Sequence, residues 1–508
     1  MTIPYSDDPV TSTAPEGAGD AQRTAIQAVL DHGTLSLEDL WLRAFSIGGD
    51  LDLMDLEGYL HGLMGLSALQ RDVLAHATNE YLDDQVGRSR VPYSRVLSHP
   101  LPVHGPLAAL VHLIQETPRA LFGELAAVAE EAGGELGVGV VVYLVDYEQL
   151  HLVPMSGPGL TPTGAPGPRA PLDIESTMPG RAFQSGITQP AISDAQLRWW
   201  VPVVDGSERL GVLDVMLRDP RDLHDPYLRQ QCEWLASMLG SLVRAAAEQG
   251  DEIDNVRRTR PRSPTAELMS SLLPPLTAES ERFTLAGLLE PCYSIGGDVF
   301  DYALGPERVQ LAVFDGMGHE LGAGLIAATA LSVYRAGRRS GDDLPALGEA
   351  LDEALDAQFP DAFATGILAD LDLRTGRLEY LAGGHPAPLL LRDGKVVAAL
   401  EGGRRLPFGL GDGTRTLGCA SLEPGDWLVL YTDGVTEARA ATTGDLFGEE
   451  RLIDFLEREA MAQHSPTEAV RRLIHAVLAH QADVLHDDAT VLLARWAPIA
   501  PVPPVDCL

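Results

Sequence analysis

Four short aspartate motifs stand far apart in the C-terminal part of the chain, each beside an apolar, strand-like run. They are GGDVFDY around Asp298, VFDGMGH around Asp315, LYTDGVTE around Asp433 and LHDDATVLL around Asp487. A fold that assembles these runs into sheets brings strand-end carboxylates from all four places into one acidic pocket. Converging carboxylates repel one another and resist ionisation unless a cation sits among them. Hard divalent ions such as Mg²⁺ and Mn²⁺ take oxygen ligands, so the pattern predicts a metal site.

The neighbouring glycines belong to the same pattern. Gly296 and Gly297 predict a tight, positive-φ approach to Asp298, and Gly316 and Gly434, each directly after an aspartate, predict sharp exits. A single Asp-Gly signals only a turn, whereas four acidic motifs in this order, each joined to an apolar strand, point to a built site. Between the second and third motifs, FATGILADLDLRTGRLEYLAGGHPAPLLLRDGKVVAALEG reads as an antiparallel meander with turns at RTG and RDG. Two sheets covered by helices would house the site where the strands end.

The order and wording of these motifs resemble the PPM metal-dependent serine/threonine phosphatases, in the bacterial branch that includes SpoIIE and RsbU. GGDVFD is similar to the branch's first signature, FDGMGH to its second, YTDG to its third and HDDAT to its last. AGGHPAPLLL, LPFGL and the stretch Phe447–Leu452 add further likeness, and the resemblance spans about 265–495. It implies an αββα sandwich over 276–496 and two Mn²⁺ or Mg²⁺ ions. Asp315 would bridge them with help from the Gly316 carbonyl; Asp298 would serve one side, and Asp433 and Asp487 the other. Two ions about 3.5–4 Å apart activate a bridging water and neutralise the phosphoryl oxygens, so no phosphoenzyme is needed.

Asp301 and Asp488 are the second acids of their motifs, expected to act through water or by orienting a ligand. His319 either donates a proton to the departing serine or threonine oxygen or is simply the first residue of a helix. His385 is expected to fix a turn. Glu320 departs from the branch, which commonly has glycine there, and no equivalent of the phosphate-holding arginine of eukaryotic relatives can be placed.

Upstream, 1–20 reads as a disordered tail and 21–95 as a small helical domain, in which Ser36 caps a helix whose Leu37, Leu40, Trp41 and Ala44 share one face. Over 105–247 the order of helix, hairpin, short helix, strands and closing helix suggests an α+β sensor, and STMPGRAFQSG with VPVVDGSERLGVLDV resembles a GAF domain. Trp199 and Trp200 point to opposite faces of a strand, so one ring is expected in the core. His151 reads as a surface or satisfied residue rather than a haem ligand, and no cofactor is assigned to this domain.

Leu235, Leu239, Leu242, Ala246, Gln249, Ile253 and Val256 recur at alternating spacings of four and three. That seam suits a parallel dimer helix in a linker spanning 235–275, or else one amphipathic face packed on its own domain. The helix TAELMSSLLPP closes the linker, and 497–508 is a Pro-rich tail.

The fold class is therefore α+β multidomain: helical unit, GAF-like sensor, coiled-coil-like linker and PPM sandwich. A net charge of −36 disfavours nucleic acid and anionic membrane as partners. No basic and apolar leader opens the chain and no apolar run reaches about 18 residues, so a cytoplasmic location is expected. Cys232, Cys292, Cys419 and Cys507 lack metal-finger spacing and read as reduced thiols.

The leading expectation is a sensor-regulated, homodimeric protein phosphatase. By resemblance its substrate is a phosphorylated anti-anti-sigma (STAS) protein in a partner-switching pathway. The alternative is a non-catalytic phosphatase-like protein that binds a partner, though such a protein has no physical need to keep clustered, mutually repelling carboxylates. A metal-dependent nuclease is disfavoured by the acidic charge.

Overall fold

The computed structural model describes residues 18–31, 35–83, 91, 106–116, 124–155, 170–193, 196–290, 296–411, 413–440, 443–482 and 487–497. Most of both expected tails, Cys292 and Cys507 lie outside these residues. Residues 1–105 and 106–508 form two compact units.

In the first unit, helix α1 is Ala18–Asp31, starting inside the stretch expected to be tail, and α2 is Leu37–Ser46, α3 Leu53–Leu60 and α4 Ala68–Asp83. The hydroxyl of Ser36 accepts the Asp39 N–H at 3.1 Å and the carboxylate of Asp52 accepts the Asp55 N–H at 2.7 Å, which satisfies free donors at two helix starts. Of the expected face, Leu40 and Ala44 are buried among Ile26, Leu56 and Leu74, while Leu37 and Trp41 pack at the margin.

The second unit opens with the region expected to be a sensor, built on one antiparallel six-stranded sheet, ordered β3-β2-β1-β6-β5-β4. Its strands are β1 Gly139–Val145, β2 His151–Pro154, β3 Leu172–Asp173, β4 Gln189–Ser193, β5 Gln196–Asp205 and β6 Glu208–Met216. Helices α5 (Pro106–Glu116), α6 (Leu125–Glu135) and α8 (Pro226–Ala247) belong to the core on one face, and α7 (Met178–Ser185) covers the other. Because both faces are covered, both tryptophans are core residues, contrary to the expectation of one. Trp199 is 2% exposed on the α8 side, and Trp200 is 6% exposed beside Tyr143 on the α7 side.

The dimer-helix reading of the seam is also corrected. Leu235, Leu239, Ala246 and Ile253 are buried in the core of the β1–β6 sheet's own module, with Leu242 and Val256 packed against it. Helix α8 stops at Ala247, and a separate short helix α9, Glu252–Arg257, follows. The spacing marks one amphipathic face laid on the sheet, so α8 packs as part of the β1–β6 module.

Helix α10, Pro264–Leu272, is capped by Ser263 and has Pro264 at its first position. The remaining chain forms two more six-stranded sheets. The first holds β9 (Asp298–Leu304), β10 (Arg308–Gly316), β11 (Ala364–Asp372), β12 (Arg377–Gly383), β15 (Arg404–Arg405) and β16 (Gly418–Ser421). The second holds β7 (Thr277–Ser280), β8 (Phe283–Glu290), β13 (Leu389–Arg392), β14 (Lys395–Ala399), β17 (Trp427–Tyr431) and β18 (Ala489–Trp496). The expected meander is thus two hairpins in different sheets: β11–β12 in the first and β13–β14 in the second, the latter turned at Asp393 and Gly394, both with positive φ.

Alternation fixes the layers. In β17 and β18, Leu428, Leu430 and Leu492 enter the core shared with the first sheet, while Val429, Tyr431, Val491 and Leu493 meet helices α14 (Gly448–Met461) and α15 (Pro466–His480). In β10, Phe314 stacks edge-on to Tyr334 of α11 (Glu320–Ser340) at 6.1 Å. Helix α12, Leu344–Gln358, joins α11 on that outer face. Side chains of opposite parity in β10, Asp315 among them, face the second sheet.

Candidate active site

Strand pairing assembles the acids. Asp298 opens β9 and lies directly opposite Asp315 near the end of β10, so both carboxylates leave the same face of the first sheet, toward the second. From the second sheet, β17 runs through Thr432 into the short helix α13 (Asp433–Thr436), and Asp487 and Asp488 immediately precede β18. The Thr432 N–H donates to the Thr490 carbonyl at 3.1 Å, which extends the β17–β18 ladder to the site.

Two threonines that the sequence reading missed hold Asp298. The hydroxyls of Thr432 and Thr490 donate to its Oδ2 at 2.7 and 2.6 Å, and all three side chains are buried. A signal for them was present: Thr432 and Thr490 keep step with Leu430 and Leu492, so the strand period turns both toward the first sheet.

Asp488 is an anchor. Its Oδ2 accepts N–H donors from Gly296 at 2.6 Å, Gly297 at 2.8 Å and Asp298 at 3.1 Å, tying the glycine approach of the first motif to the start of β18. Asp301 departs from the expected role beside the site. Three residues along a strand reverses the face, and its carboxylate meets Arg335 at 2.8 Å and Arg338 at 3.1 Å on α11.

The glycines serve close approach instead of positive φ, since none of Gly296, Gly297, Gly316 and Gly434 has a left-handed backbone. A Cβ on Gly434 would stand 1.8 Å from the Asp488 carbonyl oxygen, and one on Gly297 would stand 2.5 Å from the Gly316 carbonyl oxygen.

Electrostatics mark the cluster. Burial, then the charges of Asp433, Asp487 and Asp488, push Asp315 up to about 7. Burial, then Asp488 and Asp315, hold Asp298 well above the usual carboxylate range, partly offset by Thr490 and Thr432. Asp488 is raised to about 6 by burial despite its three N–H donors, and Asp433 is raised by burial, Asp487 and Glu437. Asp298 and Asp488 are buried, Asp315 is half-buried, and Asp433 and Asp487 are exposed, so the cluster opens to solvent on the α13 side.

The donor chemistry fits hard divalent ions: carboxylate oxygens raise one another's pKa and a cation would relieve that repulsion. Among the described residues no three His, Cys, Asp or Glu side chains are already gathered as a ligand set.

His319 is the exposed residue before α11 and its side chain makes no cap hydrogen bond. Glu320 follows with φ 62°, the left-handed region that suits the glycine of the resembling branch. His385 stands one strand residue away from Asp315. Its Nδ1 meets the Thr365 hydroxyl at 2.9 Å, Thr365 pairs with Asp315 across β10–β11, and burial lowers the imidazole to about 4.

Residues 305–497 match the SpoIIE family, Stage II sporulation protein E. That stretch contains Asp315, Gly316, Asp433 and Asp487 and begins after Asp298. The chain is 26% identical over 240 residues to the phosphoserine phosphatase RsbU of Bacillus subtilis, covering 45% of this chain and 68% of RsbU. It is 24% identical over 257 residues to Protein IcfG of Synechocystis sp., covering 44% of this chain and only 40% of that relative. Among solved structures, the SiaA-PP2C domain of Pseudomonas aeruginosa aligns at 22% identity and a TM-score of 0.40, covering 50% of this chain and 98% of that one.

Proposed function

We propose, from the match of residues 305–497 to the SpoIIE family, that this chain is a metal-dependent protein serine/threonine phosphatase controlled by its N-terminal modules. The observation that carries the reading is that strand pairing and the start of β18 bring Asp298, Asp315, Asp433, Asp487 and Asp488 to one place, where burial first, and then the charges of Asp433, Asp487 and Asp488, lift Asp315 to about 7. Asp315, with the Gly316 carbonyl, and Asp433 and Asp487 would hold two Mn²⁺ or Mg²⁺ ions, Asp298 contributing the oxygen its threonines leave free. Such ions supply charge neutralisation at the phosphoryl group and acidify water near neutral pH.

The chain's own residues supply position. Thr432 and Thr490 fix Asp298, and Asp488 fixes the backbone of Gly296 to Asp298, so the acids from two sheets keep one spacing. A protein substrate is supported by the apolar surface beside the acids: Met317, Leu321 and Leu325 are 40%, 47% and 43% exposed. A flanking peptide would cover them while its phosphorylated side chain enters the cluster, and His319 would protonate the departing oxygen.

The proposed substrate is a phosphoserine- or phosphothreonine-bearing STAS protein of a partner-switching pathway, and the sensor is read as a GAF-like domain. The homodimer would not use the buried seam. It would use the outer face of α5, where Leu107, Val111 and Ile114 are 54%, 40% and 54% exposed at helical spacing. No helix among the described residues is long and apolar enough to cross a membrane.

The deciding measurement is Mn²⁺-dependent phosphate release from a phosphoprotein and from an aryl phosphate. Asp315→Asn should lower kcat by about a hundredfold or more. Equal rates would refute the mechanism, and partner binding without turnover in the wild type would favour the non-catalytic reading.

A further inference from the structure

The turn of the sensor between β1 and β2, Asp146–Leu150, touches two separate parts of the chain. Its shape is set internally: the buried Asp146 carboxylate accepts the N–H groups of Leu150 at 2.8 Å and His151 at 3.0 Å, and Gln149 adopts φ 54°. On one side it grips the connection to the catalytic half. The Tyr147 hydroxyl donates to Asp254 at 2.8 Å, and the guanidinium groups of Arg257 and Arg262 lie over the Tyr147 ring, 4.6 and 4.0 Å from its centre. The Thr259 hydroxyl donates to Glu148 at 2.5 Å.

On the other side the same turn meets α15. His475 donates from Nε2 to the Glu148 carbonyl at 2.9 Å, and Arg471 donates to the Gln149 carbonyl at 3.3 Å. Arg471 also donates to His475 Nδ1 at 3.2 Å, which fixes the neutral tautomer of that ring. Its other donors go to Glu468, at 2.7 and 3.1 Å, and to Glu175 of the sensor. Sensor Arg209 reaches the same Glu468 at 3.4 Å.

The Arg471 side chain is 1% exposed, Glu468 7% and Arg209 8%. Buried charges at such a junction cannot slide, because every displacement leaves a desolvated donor or acceptor without its partner. Helix α15 lies on β8 and β18, and β18 begins one residue after Asp488.

We infer that Arg471 is a positioning residue for Asp487 and Asp488, held in place by the sensor's β1–β2 turn and by Glu175. The turn sets Arg471, Arg471 and Glu468 set the first turn of α15, and α15 sets the inner end of β18. Since Tyr147 and Glu148 of the same turn also hold Asp254, Arg262 and Thr259, a change in the connecting segment reaches the acidic cluster along this path. The consequence for catalysis rests on the proposed function; the geometry does not.

The test uses the full chain with Glu175→Gln, a substitution at a side chain 57% exposed, and Arg471→Lys, which keeps the charge and loses the fork. Amide hydrogen exchange is followed at 466–480 and 487–496 alongside kcat and KM. Both variants should speed exchange about threefold or more in the first turn of α15 and at 487–492, with β9–β12 unchanged. They should also lower kcat by a similar factor at nearly constant KM. Unchanged exchange at 487–492, or an equal rise throughout the molecule, overturns the inference. If the wild type releases no phosphate while exchange shifts as stated, the positioning stands and the phosphatase reading falls.

Discussion

Glu320 carries a backbone conformation that its side chain opposes. Its φ of 62° lies at the start of α11, five residues after Asp315, where a Cβ costs about 1–2 kcal/mol that glycine does not. Glu320→Gly should therefore raise stability by about 1 kcal/mol, offset in part by glycine's greater unfolded-chain entropy, and urea unfolding would read the difference. A loss of stability would mean that the Glu320 side chain makes good the strain. At this scale the sequence shows the oddity, a glutamate in a glycine position, but not its φ. The same holds for Asp298: its motif announces an acid, whereas the two threonines that hold it become visible only when β17 and β18 are known to face β9.

Helix α8 shows how an element misleads. Leu235, Leu239, Leu242 and Ala246 satisfy a heptad, yet a 3.5-residue seam and one face of a 3.6-residue helix differ by only about 20° per heptad. Over so short a run the two patterns are nearly the same, and burial decides: Leu239 is fully buried in the core of the β1–β6 module. Leu239→Ala should cost about 2–5 kcal/mol, measured by thermal or urea unfolding, without changing the oligomeric state. Val111→Glu, on the exposed face of α5, should shift mass toward monomer in light scattering with little effect on stability. If Leu239→Ala dissociates a dimer while Val111→Glu does not, the seam is the contact after all. The tryptophan pair follows the same rule, since alternation gives the opposite faces of Trp199 and Trp200 but cannot tell that α7 covers the second.

At the scale of the whole molecule, the sandwich was legible because apolar alternation and the aspartate order constrain the sheets together. The crossing between β12 and β13 was not, because nothing local distinguishes a hairpin that stays in its sheet from one that leaves it. What the assembly then creates is a charge problem that no single motif contains, and it has a measurable pH signature. Asp315 titrates near 3.8 when unfolded and at about 7 when folded, and Asp488 at about 6. Between about pH 4 and 7 the folded state binds more protons than the unfolded one, so these groups' contribution to stability is fully present below pH 4 and lost as pH rises through 7. Relative to wild type without metal, Asp315→Asn should gain stability steadily over that window and no further above it. Divalent ions compete with those protons, so their stabilisation should run the opposite way: slight at pH 5, and at pH 8 about 2.7 kcal/mol when the ion stands at a hundred times its Kd. Urea unfolding of both proteins at pH 5, 6, 7 and 8, with and without Mn²⁺, resolves the two trends. Parallel curves for wild type and variant across pH, with no Mn²⁺ effect at pH 8, would show that the carboxylates neither repel one another nor share an ion.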